Sequence, residues 1–123
     1  MSYLTDRKRV TGLGSGREGT HHHWQMMISS ILLVPLVPLF VFLFGFALGG
    51  THDEVLAFFS RPVPAIIMAL ALLVIVWHVM QEALVAIEDY VHGLAGKLTL
   101  IATKAFGYTL MFVGVFAIAR MAL

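Results

Sequence analysis

A chain of 123 residues with 59% hydrophobic and 12% charged side chains and a mean hydropathy of +0.90 departs from water-soluble domains, which are about half apolar and about a quarter charged. Lipid must replace water around much of its surface, which excludes a soluble enzyme and leaves little length for an extramembrane domain. The net charge of +1 gives no basis for nucleic-acid binding, and the absence of cysteine removes disulfides, zinc–thiolate sites, iron–sulfur ligation and covalent c-type heme attachment from this chain.

Residues 1–25 carry Arg7, Lys8, Arg9 and Arg17 but no apolar segment leading to a small-residue cleavage site. They read as a cytoplasmic segment rather than a signal peptide. A hydrocarbon core of about 30 Å takes about 20 helical residues, and three stretches are long enough. The first spans about 26–49, with no charge between Glu18 and Asp53 and with Pro35 and Pro38 inside, where a kink is expected. The connection from Gly50 to Val63 sets Arg61 against Asp53 and Glu54. The second span, about 64–90, starts at Pro64, runs aliphatic to Trp77 and turns polar in its last third. The third, about 97–120, has Lys104 as its one internal charge, roughly 10 Å in from Lys97 and able to snorkel back to that interface. The basic residues before the first span, together with Lys97, place the N-terminus and the second turn inside, with Arg120 a minor exception. The fold class is an all-α membrane protein, one domain over 1–123 with three transmembrane helices.

Any chemistry belongs where polar groups enter the apolar spans. At about 100° per residue, His78, Glu82, Val85 and Asp89 fall within about 60° of one another on the second helix. A membrane histidine needs another polar helix, a water cavity, a proton path or a metal. An interhelical hydrogen bond, proton transfer and axial ligation of a b-type heme all fit His78. Glu82 suits ring orientation, proton uptake or a watered interface. Asp89 and Tyr90 suit a solvated helix end with an aromatic-belt anchor, or a hydrogen-bonding pair for a quinone headgroup.

His78 followed eleven positions later by Asp89-Tyr90, within Ile87-Glu88-Asp89-Tyr90-Val91-His92, resembles the hydrophobic anchor subunits of succinate dehydrogenase, respiratory complex II. Gly12-Leu13-Gly14-Ser15 and Gly19-Thr20-His21-His22-His23-Trp24 are similar to the N-terminal segment of the proteobacterial members. The resemblance implies three helices packed with a partner cytochrome b556-type membrane subunit in the bacterial inner membrane, holding an iron–sulfur subunit and a flavoprotein subunit. It implies that His78 is an axial ligand of a heme b iron shared with the partner, and that Asp89 and Tyr90 lie at the site where ubiquinone is reduced. No activity is then expected of the isolated chain. One departure is Met26 and Met27, where many relatives carry an arginine near the heme propionates; Arg17, His21 to His23 or the partner chain are candidates to supply that charge. Three other readings stand beside this one: a heme-free structural anchor, a small proton-conducting subunit using His78, Glu82 and Lys104, and a fumarate-reducing relative using menaquinone.

Overall fold

The computed structural model describes residues 3–14 and 17–123, without the side chain of Arg17. Ser15 of the opening motif and the Arg17 charge therefore lie outside the described residues. Five helices follow in order: α1 Asp6–Thr11, α2 Arg17–Ala47, α3 His52–Phe59, α4 Pro62–Tyr90 and α5 Gly93–Ala122. Three of them, α2, α4 and α5, are long and apolar enough to cross a membrane.

Each boundary has a local cause. The first span starts at Arg17 rather than near Met26, because the polar Gly19 to Gln25 segment continues the helix without a break. The helix also runs on through Pro35 and Pro38. Proline in a membrane helix is tolerated where neighbours and local adjustment satisfy the freed carbonyls. Gly49, at φ 90, follows its end, a conformation that costs glycine little. The following connection is partly helical: Thr51 Oγ1 accepts from Glu54 N at 3.3 Å and Thr51 N donates to Glu54 Oε2 at 2.8 Å. This reciprocal capping box satisfies two N–H groups at the start of α3. Pro62 starts α4 two residues before the expected Pro64, and both fit because first-turn N–H groups have no intrahelical acceptor.

The turn from α4 to α5 is only Val91 and His92, both extended, so α5 starts at Gly93 rather than near Lys97. A Cβ built on Gly96 would lie 2.5 Å from the Val91 carbonyl oxygen, and Cβ atoms on Gly107 and Gly114 would collide with Met80 and Leu72. The spacings of 11 and 7 residues put these glycines on one face of α5. Position along α4 falls as position along α5 rises, so the two form an antiparallel hairpin packed closely through small residues. Met80, Leu84 and Met111 are buried at its centre, against Val76, Trp77 and Leu100.

Helix α4 also packs against α2, whereas the described backbones of α2 and α5 stay more than 8 Å apart, Cα to Cα. The result is a three-helix layer with α4 in the middle and a cleft between α2 and α5. Outside these seams the large apolar side chains face outward: Phe42, Phe46, Phe112 and Phe116 are exposed. Helices apolar all round need a lipid or protein environment on every side.

Candidate functional site

The middle position of α4 decides which of its polar groups find partners inside the chain. His78 is half-buried and meets α2, where Ser29 is 5% exposed. Ser29 Oγ lies 2.8 Å from His78 Nδ1 and donates its hydrogen to the carbonyl oxygen of Met26, also at 2.8 Å. A hydroxyl has one hydrogen to donate. With that hydrogen on the Met26 carbonyl, Ser29 Oγ accepts from His78, so Nδ1 carries the imidazole proton. The tautomer follows from the network. It leaves Nε2 with a free lone pair, and among the described residues Nε2 has no hydrogen-bond partner.

A second polar link lies nearer the N-terminal end of α2. His22 Nε2 donates to Gln81 Oε1 at 3.1 Å. With Glu18, Glu88, Lys104 and Tyr108 they line a polar cavity of about 390 Å³ in the α2–α5 cleft. Lys104, exposed on α5, therefore borders this cavity.

Among the described residues the remaining polar stripe has no partner from its own chain. Glu82 and Asp89 are exposed, and Tyr90, the last residue of α4, is 84% exposed. Asp89 is eleven residues from His78, about 16 Å of helical rise. The structure thus joins His78 to Ser29 and leaves Asp89 and Tyr90 together at the α4 terminus, apart from the histidine. Among the described residues no cluster of three or more His, Cys, Asp or Glu is arranged to hold a metal ion.

A family model for the succinate dehydrogenase/fumarate reductase transmembrane subunit matches residues 1–119. The chain belongs to this family. It is 41% identical over 123 residues to the succinate dehydrogenase hydrophobic membrane anchor subunit of Paracoccus denitrificans, covering 100% of this chain and 95% of that one. It is 29% identical over 80 residues to the succinate dehydrogenase membrane anchor subunit of Reclinomonas americana, covering 63% and 67%. No solved structure matches the chain. The expected family and the all-helical, three-span architecture of a succinate dehydrogenase transmembrane subunit are both borne out.

Ser29 and Gln81 were not singled out as site residues from the sequence, and His22 only as one of the three histidines that are candidates to supply charge near the heme propionates. Ser29 left a faint signal, since a serine within the long uncharged run of a membrane helix is a candidate for hydrogen bonding across helices. Gln81 is adjacent in sequence to Glu82 yet about 100° around the helix from it, so the stripe centred on His78 passed it by.

Proposed function

We propose that this chain is the membrane anchor of a succinate:ubiquinone oxidoreductase, in which His78 is an axial ligand of heme b and Asp89 and Tyr90 line the quinone-reduction site. The observation that carries the heme assignment is the Ser29–His78 hydrogen bond. Axial ligation needs an imidazole nitrogen without its proton, and donation from Nδ1 to Ser29 fixes the ring in the tautomer that supplies one at Nε2. A heme-free anchor accounts for Nδ1 and needs a donor from a neighbouring helix for Nε2, which has no partner among the described residues. One histidine from this chain calls for a second ligand from elsewhere, which suits a partner cytochrome b subunit.

Held by His78 and a partner residue, a heme b would supply one-electron redox chemistry beside the quinone site. The chain's own residues do the remaining work. Ser29 holds the ring of His78. The exposed Tyr90 O–H donates to a quinone carbonyl oxygen, which favours the negative charge developing there as the quinone takes two electrons and two protons to become the quinol. Asp89, beside it, orients that network or passes protons. The exposure of both suits a pocket completed by the iron–sulfur and cytochrome subunits. On this reading the N-terminus and the α4–α5 turn lie on the cytoplasmic side of the bacterial inner membrane, a placement that the basic Arg7, Lys8, Arg9 and Lys97 support.

Tyr90→Phe removes one hydroxyl and little else. Succinate-driven quinone reduction by the complex should fall by about 10-fold or more, the scale of losing one hydrogen bond to developing charge. Flavin-level succinate oxidation, read with an artificial acceptor, should be retained; equal loss of both would remove Tyr90 from the quinone site. Ser29→Ala frees the His78 ring and should weaken heme retention by about 10- to 100-fold, as changes to groups behind a metal-binding histidine do. Heme titration into the apo-complex reads this directly, and an unaltered affinity would show that Ser29 does not set the ring.

A further inference from the structure

The α2–α5 cleft is ordered by polarity along the helix axes. At its N-terminal end stand Glu18, the second residue of α2, and Glu88, in the last turn of α4. Lys104 lies deeper, about 16 Å of helical rise from the start of α5, with Tyr108 a turn beyond it. Deeper again, the same cleft becomes an apolar groove of about 370 Å³ lined by Ile28, Leu32, Leu73, Trp77 and Met111, with Gln25 and Ser29 on its wall. The order from the interface inward is carboxylates, then an ammonium with a phenol, then hydrocarbon.

This order is the complement of a glycerophospholipid whose headgroup ends in a primary ammonium: ammonium outermost, phosphate next, acyl chains innermost. We propose that the α2–α5 cleft binds one zwitterionic aminophospholipid from the leaflet on the side of the N-terminus. Its ammonium lies between Glu18 and Glu88, its phosphate takes hydrogen bonds from Lys104 and Tyr108, and one acyl chain runs along Ile28, Leu32, Leu73 and Trp77.

Charge selects this occupant. Among the described residues Lys104 forms no ion pair, nor do Glu18 and Glu88, so both signs remain available at separate depths. An anionic phospholipid would satisfy Lys104 and set its headgroup against two carboxylates. A quinone is neutral and would leave all three charges uncompensated in a region where charge is expensive. Each cavity falls within the few-hundred-Å³ range of small-molecule sites, and the two follow one another along the cleft, His22 and Gln25 of α2 and Trp77 and Gln81 of α4 each lying one turn apart across the boundary between them. Neither His78, Asp89 nor Tyr90 lines the cleft. The heme and quinone assignments can therefore fail while this site stands, and the reverse.

Native mass spectrometry of the detergent-purified complex, with phosphatidylethanolamine and phosphatidylglycerol added in competition, tests the site. The expected result is one phosphatidylethanolamine kept per copy of this chain. Lys104→Gln and Glu88→Gln should each lower its retention by roughly tenfold, the scale of losing one charge-assisted hydrogen bond, with the heme spectrum and succinate oxidation unchanged. Equal retention of phosphatidylglycerol, a quinone kept in its place, or no response to either substitution would overturn the proposal. Photo-crosslinking of the unaltered complex with a phosphatidylethanolamine bearing an acyl-chain diazirine gives a readout that needs no variant. Label on peptides containing Ile28 to Leu32 and Leu73 to Trp77 is expected. Label confined to other surfaces, as a partner helix filling the cleft would produce, would overturn the site.

Discussion

Replacing His78 with Ala should abolish the b-type signal in the dithionite-reduced minus oxidised spectrum of the purified complex, while this subunit stays assembled. The two halves of that result have separate magnitudes. Losing the Ser29 contact removes one hydrogen bond between membrane helices, about 0.6 kcal/mol on average, and the half-buried position of His78 limits the packing loss. That is too little to undo a hairpin held by the Gly96, Gly107 and Gly114 contacts. Losing the ligand removes the imidazole nitrogen altogether, a larger change than loss of a supporting group, which already costs about 10- to 100-fold in metal affinity. Comparison with His78→Tyr, which keeps a polar ring but changes the donor atom, should show a shifted or absent band. An unchanged b-type spectrum in both variants, with the subunit present, would remove the ligand assignment and leave an anchor alone.

A second large effect is expected at Gly107, far from any cofactor argument. A Cβ there would run into Met80, with Met80 Cγ at 3.0 Å and Cβ at 3.4 Å also in the way. The thioether end of methionine is flexible, so Gly107→Ala should be partly absorbed by a new Met80 rotamer. Gly107→Leu has no such outlet, since it adds several carbons where two backbones run close together. Overpacking of this kind costs about 1–3 kcal/mol, and here it prises α5 from the helix that carries His78. Assembled complex on a native gel, or its thermal midpoint, should drop sharply for Gly107→Leu and slightly for Gly107→Ala. Equal tolerance of both would mean that the α4–α5 seam is looser than its glycine stripe indicates.

Much of this architecture is readable from the chain because a bilayer imposes coarse rules. The uncharged run between Glu18 and Asp53 declares the first span without any periodicity, and the helical wheel alone puts His78, Glu82 and Asp89 on one face. Limits arise wherever a residue's meaning depends on another helix. Ser29 is one serine among apolar neighbours until α2 is rotated and slid against α4; only then does its hydroxyl meet the imidazole. Gln81 likewise acquires a role through His22, 59 positions away. Lys104, read along its own helix, snorkels toward Lys97; beside α2 and α4 it borders a cavity that contains two carboxylates. The helix α3 is a different case, because Thr51 followed by Glu54 is a local capping signature, legible once sought. Asp89 and Tyr90 stand at the opposite extreme. Both are exposed, so the packing of this chain alone attaches no chemistry to them, and their proposed role rests on resemblance to the family.

The central place of α4 also bears on how the subunit comes into being. Helix α2 is the first of the three spans in chain order, and among the described residues its backbone comes close only to α4 and the short α3, so Ser29 has no partner across the seam until α4 follows. The two-residue turn then delivers α4 and α5 as a hairpin whose glycine packing requires nothing from α2. Packing of α2 on that hairpin is what brings the Ser29 hydroxyl to the imidazole. The Ser29–His78 pairing therefore depends on the meeting of the first and second spans, whereas the glycine packing of the second against the third does not.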